Sequence, residues 1–201
     1  MTASTSLAPW YLFDYGKVIS HAPDPEDWAA LQEATGLDLE PLESGYWIHR
    51  ADFDAGAISA AEYWSRVLEE EVSDGLVDRL EALDAKQWSH SNLETLDVLD
   101  MLKSTGAQLA LLSNMPAGMA SEYARQAPWV QYFDKLFFSG HLRLAKPDPQ
   151  IFAHVLQELQ ADAGQVTFVD DVQENITAAG SLGLRTVLHV PGIDLVAAFG
   201  L

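Results

Sequence analysis

The sequence contains no cysteine, and this absence excludes several kinds of chemistry. A chain of 201 residues without cysteine forms no disulfide, holds no thiolate-bound metal and offers no thiol nucleophile. Such a composition fits a cytoplasmic protein. No apolar run approaches the roughly 18 residues of a membrane-spanning helix. The first ten residues, "MTASTSLAPW", lack a basic segment followed by an apolar one. We therefore expect neither a signal peptide nor a membrane partner.

Basic residues are also scarce. The chain has 11 Lys and Arg against 30 Asp and Glu, which gives a formal net charge of −19. Nucleic-acid binding relies on cationic contacts to phosphates, so this charge argues against a nucleic-acid partner. An anionic substrate would need a local cluster of cations or a metal ion. The content of 48% hydrophobic and 20% charged residues is typical of one globular core, with room for a smaller insert.

The region from about residue 24 to 88 has the pattern of helices alone. "PEDWAALQEATG" ends on Gly36, a typical helix stop. In "ISAAEYWSRVLEEEV", Ser59 and Glu62 have the spacing of a capping box, and Trp64 and Val67 begin an apolar series at helical spacing. This part of the chain predicts an inserted helical cap over residues 21–89.

From about residue 91 onward, short apolar runs alternate with helical patterns. Ser91 and Glu94 predict a capping box for one helix, and Asp148 followed by Pro149 predicts the start of another. The predicted strands are "WYLF", "QLALLSN", "KLFFS", "QVTFVDD" and "RTVLHV". Alternating strands and helices indicate an α/β fold, a Rossmann-like parallel sheet with helices on both faces. Its core is expected to comprise residues 1–20 and 90–201.

Polar side chains follow three of these strands at the point where each one ends. The first strand runs into Asp14, the second into Ser113 and Asn114, and the fourth into Asp170 and Asp171. Ligands of an open parallel sheet bind beyond the carboxyl ends of its strands, so we expect these residues to converge. Two adjacent carboxylates at one strand end are costly without a nearby cation.

The chemistry of this set favours a phosphoryl group and Mg²⁺. Carboxylate oxygens suit Mg²⁺. Ser113, a backbone N–H and Lys146, which precedes the Asp148 helix, suit a phosphoryl group. A carboxylate held against that group can act as a nucleophile and form an aspartyl-phosphate, which water then hydrolyses.

The ordered segments "YLFDYGKV", "LALLSN", "LAKPDPQIF" and "VTFVDDVQENITAA" resemble the haloacid dehalogenase-like (HAD-like) hydrolase superfamily. The insert, including "SGYWIHRADFDAGAISAAEYW", resembles the small helical cap of the phosphatase branch. Within that branch the chain is similar to sugar-phosphate phosphatases whose first motif reads Phe-Asp-Leu-Gly. The resemblance implies Mg²⁺-dependent hydrolysis of a small phosphomonoester, such as a sugar phosphate, through an aspartyl-phosphate.

The resemblance also implies roles for individual residues. Asp14 would be the nucleophile and a metal ligand, and the backbone carbonyl of Gly16 would bind the metal. Ser113 and the backbone of Asn114 would hold the phosphoryl oxygens, while Lys146 would neutralise nucleophile and phosphate.

For the last motif, the resemblance places two carboxylates at the metal. Asp171 would bind it directly and Asp170 through water. Asn175 would support them from behind.

Gly16 departs from the pattern of most phosphatases of this superfamily, which have an aspartate there as general acid and base. General acid–base catalysis contributes roughly 10²–10⁴-fold in rate. Two alternatives therefore stay open. One is a metal-independent 2-haloacid dehalogenase, although that branch generally lacks an acid pair such as Asp170 and Asp171. The other is a catalytically weak binding or regulatory protein on the same scaffold.

Three residues of the predicted cap are candidates for substrate selection. His21 lies just beyond the first motif, Trp47 could stack on a ring, and Arg50 could hold a second anionic group. The sequence nevertheless favours packing inside the cap for Trp47 and a surface charge for Arg50. The sequence is compatible with a monomer or a homodimer.

Overall fold

The computed structural model describes residues 8–201. Residues 1–7 lie outside the described part. They include most of the ten residues used above to argue against a signal peptide, and the start of the predicted core segment 1–20. A five-stranded parallel sheet forms the centre of the fold, in the order β3-β2-β1-β4-β5. The strands are β1 Trp10–Phe13, β2 Gln108–Ser113, β3 Lys135–Phe138, β4 Val166–Asp170 and β5 Arg185–Leu188. The predicted α/β fold class is confirmed.

Strand β1 lies at the middle of the sheet, paired with β2 on one side and β4 on the other. Phe13 is in register with Leu111 of β2 and with Val169 of β4. Because the strands are parallel, Asp14 leaves the sheet at the same edge as the ends of β2 and β4. The sheet therefore gathers the strand-end side chains that the sequence separates widely.

Helices cover both faces of the sheet. The helices that follow the insert are α6 Leu93–Ser104, α7 Ala117–Gln126, α8 Ser139–Leu142, α9 Pro149–Leu159, α10 Gln173–Ser181 and α11 Leu195–Phe199. One hydrophobic cluster contains Phe13 and Leu111 with Leu99 and Leu195. The cluster on the other face contains Leu12 with Phe152. Alternate residues of β1 thus pack into opposite cores, as the pleat of a buried strand requires.

Five helices lie between β1 and α6, and we call them the helical insert. They are α1 Pro25–Thr35, α2 Gly45–Ile48, α3 Arg50–Asp54, α4 Ala60–Leu68 and α5 Asp74–Gln87. The insert has its own hydrophobic cluster, which includes Tyr46, Tyr63 and Trp64. Its two connections to the sheet domain run side by side, joined by an isolated antiparallel bridge between Ser20 and Ser91.

Most of the local predictions agree with the structure. Gly36 caps α1 in the left-handed region at φ 74°, and the Ser59 side chain accepts from the N–H of Glu62 at the start of α4. Asp148 caps α9 as predicted. The predicted box of Ser91 and Glu94 is wrong, because the cap of α6 is Asn92, whose side chain accepts from the N–H of Thr95. Among the described residues, no helix is both long and apolar enough to cross a membrane.

Candidate active site

A buried lysine joins two of the strand-end carboxylates. Lys146 Nζ lies 2.7 Å from Asp14 Oδ1 and 2.7 Å from Asp170 Oδ2. Lys146 is 5% exposed and Asp170 is fully buried. Burial opposes the lysine charge, but the two carboxylates outweigh it and raise the pKa of Lys146. The lysine is therefore held as a cation at the carboxyl edge of the sheet.

Asp170 is occupied by protein donors on both oxygens. Its Oδ1 accepts from the backbone N–H of Val172 at 2.8 Å, and its Oδ2 accepts from Lys146. Asn175 Nδ2 lies 3.0 Å from each of the two oxygens. Two donors at each oxygen leave little capacity for a direct bond to a metal ion. This geometry fits the water-mediated position expected for Asp170, and it places Asn175 directly behind that carboxylate.

The donor set fits a hard divalent cation. Asp14, Asp170 and Asp171 each offer a carboxylate oxygen, and these atoms lie within 4.8 Å of one another. Burial is the main influence on Asp14 and raises its pKa to about 7, against the opposing effect of Lys146. Burial also raises the pKa of Asp171, whereas Lys17, 3.6 Å from it, acts in the opposite direction. A cation that accepts oxygen ligands would offset this surplus of negative charge.

The end of β2 and the residue after it bring a hydroxyl and an amide side chain to the same edge. Ser113 is 2% exposed and lines the cavity described below. The side chain of Asn114 pairs with the backbone of Lys146 in both directions, donating to its carbonyl at 2.8 Å and accepting from its N–H at 2.9 Å. Asn114 thereby fixes the segment that carries the buried lysine.

Ser139, at the start of α8, joins the loop after β2 to the helical insert. Its hydroxyl accepts from the backbone N–H of Met115 at 2.9 Å and donates to the backbone carbonyl of Asp54 at the end of α3. Ser139 is fully buried. One side chain therefore sets the distance between the loop after β2 and the insert.

A cavity of roughly 210 Å³ lies over these residues. This volume is below the roughly 300–1,000 Å³ of pockets for drug-sized ligands, so it favours a small substrate. The sheet domain contributes polar groups and the insert contributes two tryptophans, an arginine and a carboxylate. The residues that line the cavity include Asp14, Gly16, Ser113, Lys146 and Asp171 from the sheet domain and Trp47, Arg50, Asp54 and Trp88 from the insert and its exit.

The indole ring of Trp88 covers Gly16. A Cβ atom at position 16 would lie 3.6 Å from Cζ3 of Trp88, an ordinary contact distance. Two hydrogen bonds hold Trp88 in place. Its Nε1 donates to the hydroxyl of Tyr46 at 3.1 Å, and its backbone carbonyl accepts from the hydroxyl of Tyr15 at 2.8 Å. An aromatic ring thus occupies the space beyond position 16.

Arg50 lines the cavity but is committed to protein carboxylates. Its Nε donates to Asp54 Oδ1 at 2.7 Å, and its Nη1 lies 2.9 Å from Asp84 Oδ2 and 2.6 Å from the Tyr46 hydroxyl. Burial opposes the charge of Arg50, but Asp54 and Asp84 more than compensate and raise its pKa. The expected surface position is wrong, because the guanidinium is buried. Asp54 and Asp84 also neutralise the positive charge of Arg50, which a second anionic group of the substrate would need.

The other two candidates for substrate selection differ from each other. Trp47 lines the cavity, while its Nε1 donates to the carbonyl of Glu40 at 3.0 Å and its ring packs against Trp88. It therefore both packs the insert and walls the cavity. His21 does not belong to the cavity: it is exposed and lines a separate groove. His21 lies in the connection between β1 and the insert, where its N–H donates to the carbonyl of His90.

The sequence analysis did not identify three residues of the site. Asp54 and Trp88 line the cavity, and Ser139 joins the loop after β2 to the insert. Asp54 had one available signal, since Arg50 and Asp54 stand four residues apart and can pair on one helix face. Ser139 and Trp88 had none, because their contacts join segments far apart in the chain. Ser139 and Asp54 are 85 residues apart.

The model of the haloacid dehalogenase-like hydrolases matches residues 27–183 of this chain. The matched region is most of the sequence, so the chain belongs to that family of hydrolases. The resemblance on which the sequence interpretation relied is confirmed.

Curated relatives include both phosphatases and dehalogenases. A phosphorylated carbohydrates phosphatase from Thermotoga maritima is 31% identical over 94 residues, which are 47% of this chain and 44% of that protein. The (S)-2-haloacid dehalogenase 4A from Burkholderia cepacia is 28% identical over 137 residues, 68% of this chain and 58% of that protein. The chain thus spans less than two thirds of either relative.

Among solved structures, a HAD family enzyme from Bacteroides thetaiotaomicron, crystallised as a magnesium complex, matches with a TM-score of 0.76. The identity is 24%, and the match covers 96% of this chain and 98% of that one. At this identity the likeness supports the fold, and the activity has to be argued from the site.

Proposed function

We propose that the protein is a Mg²⁺-dependent phosphatase of small phosphomonoesters, with Asp14 as the nucleophile. The observation that carries this proposal is the cluster of three carboxylates around one buried lysine. Asp14, Asp170 and Asp171 hold up to three negative charges, and Lys146 is the buried cation among them. A phosphate dianion would add two more, so its approach to Asp14 requires a further cation.

Asp14 and Asp171 would bind Mg²⁺ directly, with the Gly16 carbonyl as a further ligand and Asp170 acting through water. When bound, the ion offsets the repulsion between the nucleophile and the phosphate. Ser113 and the N–H of Asn114 would hold phosphoryl oxygens. Lys146 would keep Asp14 oriented through the 2.7 Å contact to Oδ1, which leaves Oδ2 of Asp14 as the attacking atom.

The helical insert, within the predicted span 21–89, would act as the cap that selects the substrate. Support comes from its separate hydrophobic cluster and from the walls that Trp47, Asp54 and Trp88 contribute to the cavity. The volume of roughly 210 Å³ favours a small phosphorylated metabolite, and the named activity of the Thermotoga relative makes a sugar phosphate a reasonable choice. A cytoplasmic location stays a prediction.

A 2-haloacid dehalogenase remains the second candidate, because one curated relative carries that name. Attack on carbon displaces a halide and brings no phosphate dianion to the site. A cation held by the three clustered carboxylates would then have no phosphate charge to offset. The acid pair Asp170 and Asp171 therefore favours the phosphatase.

The decisive experiment measures hydrolysis of p-nitrophenyl phosphate and of a panel of sugar phosphates, with Mg²⁺ and with EDTA. We expect activity only with Mg²⁺, and none in Asp14→Asn. Chloride release from 2-chloropropionate is measured in parallel. Equal phosphatase rates with Mg²⁺ and EDTA, or chloride release in EDTA without phosphatase activity, would overturn the proposal.

A further inference from the structure

The proposed phosphatase reaction needs a proton donor for the leaving alcohol, and Gly16 has no side chain to supply one. Trp88 covers the space above that glycine. The wall contributed by the insert contains a carboxyl group, Asp54, and the same cavity of roughly 210 Å³ is lined by Asp14 and by Asp54. In a space of that size, one small ligand can contact both walls.

Asp54 has one free oxygen. Its Oδ1 accepts from Arg50 Nε at 2.7 Å. No hydrogen bond to Oδ2 is found within residues 8–201, and the side chain is 16% exposed. The carboxyl group is therefore anchored at one oxygen and available at the other.

The backbone of Asp54 is fixed against the sheet domain. Its carbonyl accepts from the hydroxyl of Ser139, which also receives the N–H of Met115 in the loop after β2. Two residues further on, Gly56 at φ 67° packs so closely on α8 that a Cβ there would lie 2.5 Å from the carbonyl oxygen of Gly140. These contacts hold Asp54 in a constant position relative to the loop after β2.

The surroundings of Asp54 bring the pKa of its carboxyl close to neutral pH. Burial is the main influence and raises the pKa of Asp54 to about 6, whereas Arg50 and Lys146 act to lower it and Asp84 to raise it. A pKa close to the operating pH suits a group that must both give and take a proton. The charged or titratable groups around Asp54 are Arg50, Tyr63, Glu81, Asp84 and Lys146.

We propose that Asp54 is the general acid and base of the reaction, in place of a side chain at position 16. This inference rests on the proposed function. As Asp14 attacks phosphorus and the bond from phosphorus to the ester oxygen breaks, the proton of Asp54 moves to that oxygen and the alcohol leaves. The Asp54 carboxylate then takes a proton from the water that attacks the aspartyl-phosphate. The bond between phosphorus and Asp14 breaks, and inorganic phosphate is released.

The test compares esters with leaving groups of increasing basicity: p-nitrophenyl, phenyl and a simple alkyl phosphate. A nitrophenolate leaves without a proton, whereas an alkoxide does not. In Asp54→Asn, which keeps an acceptor for Arg50, we expect kcat/KM to fall about 10²–10⁴-fold for the alkyl ester and less than about tenfold for the nitrophenyl ester.

Asp84→Asn is the matched control. Asp84 binds the same guanidinium from α5, but its side chain is 1% exposed and it does not line the cavity. A loss that reflects only the disturbed Arg50 should appear equally in both variants and for all three esters. Such a result would overturn the role of Asp54, and so would an unchanged alkyl phosphatase rate in Asp54→Asn.

The wild-type protein supplies a test that does not depend on the folding of a variant. Because Asp54 protonates the leaving group, the kcat/KM of the wild type should change little from nitrophenyl to alkyl phosphate. A steep fall along that series in the wild type would mean that no acid assists the leaving group. Failure of the proposed function looks different, because the wild type with Mg²⁺ would then hydrolyse none of the three esters and both proposals would fall together.

Discussion

The hydroxyl of Ser139 donates to the backbone carbonyl of Asp54, which joins the sheet domain to the helical insert at the rim of the cavity. The same hydroxyl accepts from the N–H of Met115. Ser139 is fully buried and so is its bond to Met115, so the Met115 N–H cannot turn to water when the hydroxyl is removed. The contact makes the position of the insert part of the geometry of the site.

Ser139→Ala should therefore cost both stability and activity. The buried N–H of Met115 loses its partner, and such an unsatisfied group costs about 1–3 kcal/mol. We expect the free energy of unfolding, measured by urea denaturation, to fall by an amount in that range and kcat to fall with it. Ser104→Ala is the control, because Ser104 is exposed and its hydroxyl donates to the carbonyl of Met101 within the same helix, α6. A Ser139→Ala protein as stable as the control would contradict the bridging role.

Gly56→Ala tests the close packing of the insert against α8. Both Gly56 and Gly36 have positive φ, at 67° and 74°, but only Gly56 would bring a Cβ against another backbone. Gly36→Ala should cost about 1 kcal/mol for the left-handed conformation alone. Gly56→Ala should cost roughly 1–3 kcal/mol more, because the clash with Gly140 must be relieved by backbone movement.

Activity separates these two glycine variants further. Relief of the clash would move Asp54, so we expect kcat to fall in Gly56→Ala and to stay unchanged in Gly36→Ala. Equal destabilisation of the two variants in urea, with equal kcat, would show that the insert does not depend on this contact.

Asp171→Asn tests the metal site without relying on turnover. A ligand that binds only the folded state raises the melting temperature, and the rise grows with the logarithm of the ratio of ligand concentration to Kd. We expect Mg²⁺ to raise the melting temperature of the wild type and to do so only at much higher concentration in Asp171→Asn. Asp100→Asn removes an exposed charge from α6 and controls for general attraction to a protein of net charge −19. Identical Mg²⁺ titrations of both variants would argue against Asp171 as a ligand.

The sheet and its edge were predictable because both follow from local patterns. Apolar runs that end in Asp14, Ser113 and Asp170 must meet at one edge once the strands are parallel. The pairing of Arg50 with Asp84 was not predictable, because Asp84 lies 34 residues away on another helix and no local pattern marks the pair. The sequence shows that Gly16 lacks an acid, but it does not show that Asp54 lines the same cavity, since that depends on how α3 packs on α8.

The stability of the protein should depend on pH through Asp54. Burial raises its folded-state pKa to about 6 from the ordinary value of 3.8. The folded state therefore binds the proton more tightly than the unfolded chain does. The stabilisation from this proton is complete below about pH 4 and is lost as pH rises to about 6.

The measurement is urea denaturation at pH 4, 5, 6 and 7. The free energy of unfolding of the wild type, relative to Asp54→Asn, should fall by roughly 1–3 kcal/mol between pH 4 and 7. The comparison cancels the contribution of other titrating groups, such as Glu81, whose pKa burial raises to about 7. A constant difference across this range would mean that the Asp54 carboxyl titrates normally.

An acid at position 16 should partly rescue the loss of Asp54. A Cβ at position 16 meets Trp88 at an ordinary 3.6 Å, so Gly16→Asp is sterically accessible if its carboxyl lies beside the indole. In the Asp54→Asn background, Gly16→Asp should raise kcat/KM for the alkyl phosphate by at least about tenfold, within the range of general acid catalysis. Gly16→Asn has the same size but donates no comparable proton, so it should give no rescue. If both substitutions at position 16 behave alike, the deficit in Asp54→Asn is not a missing proton, and Asp54 acts only by holding Arg50.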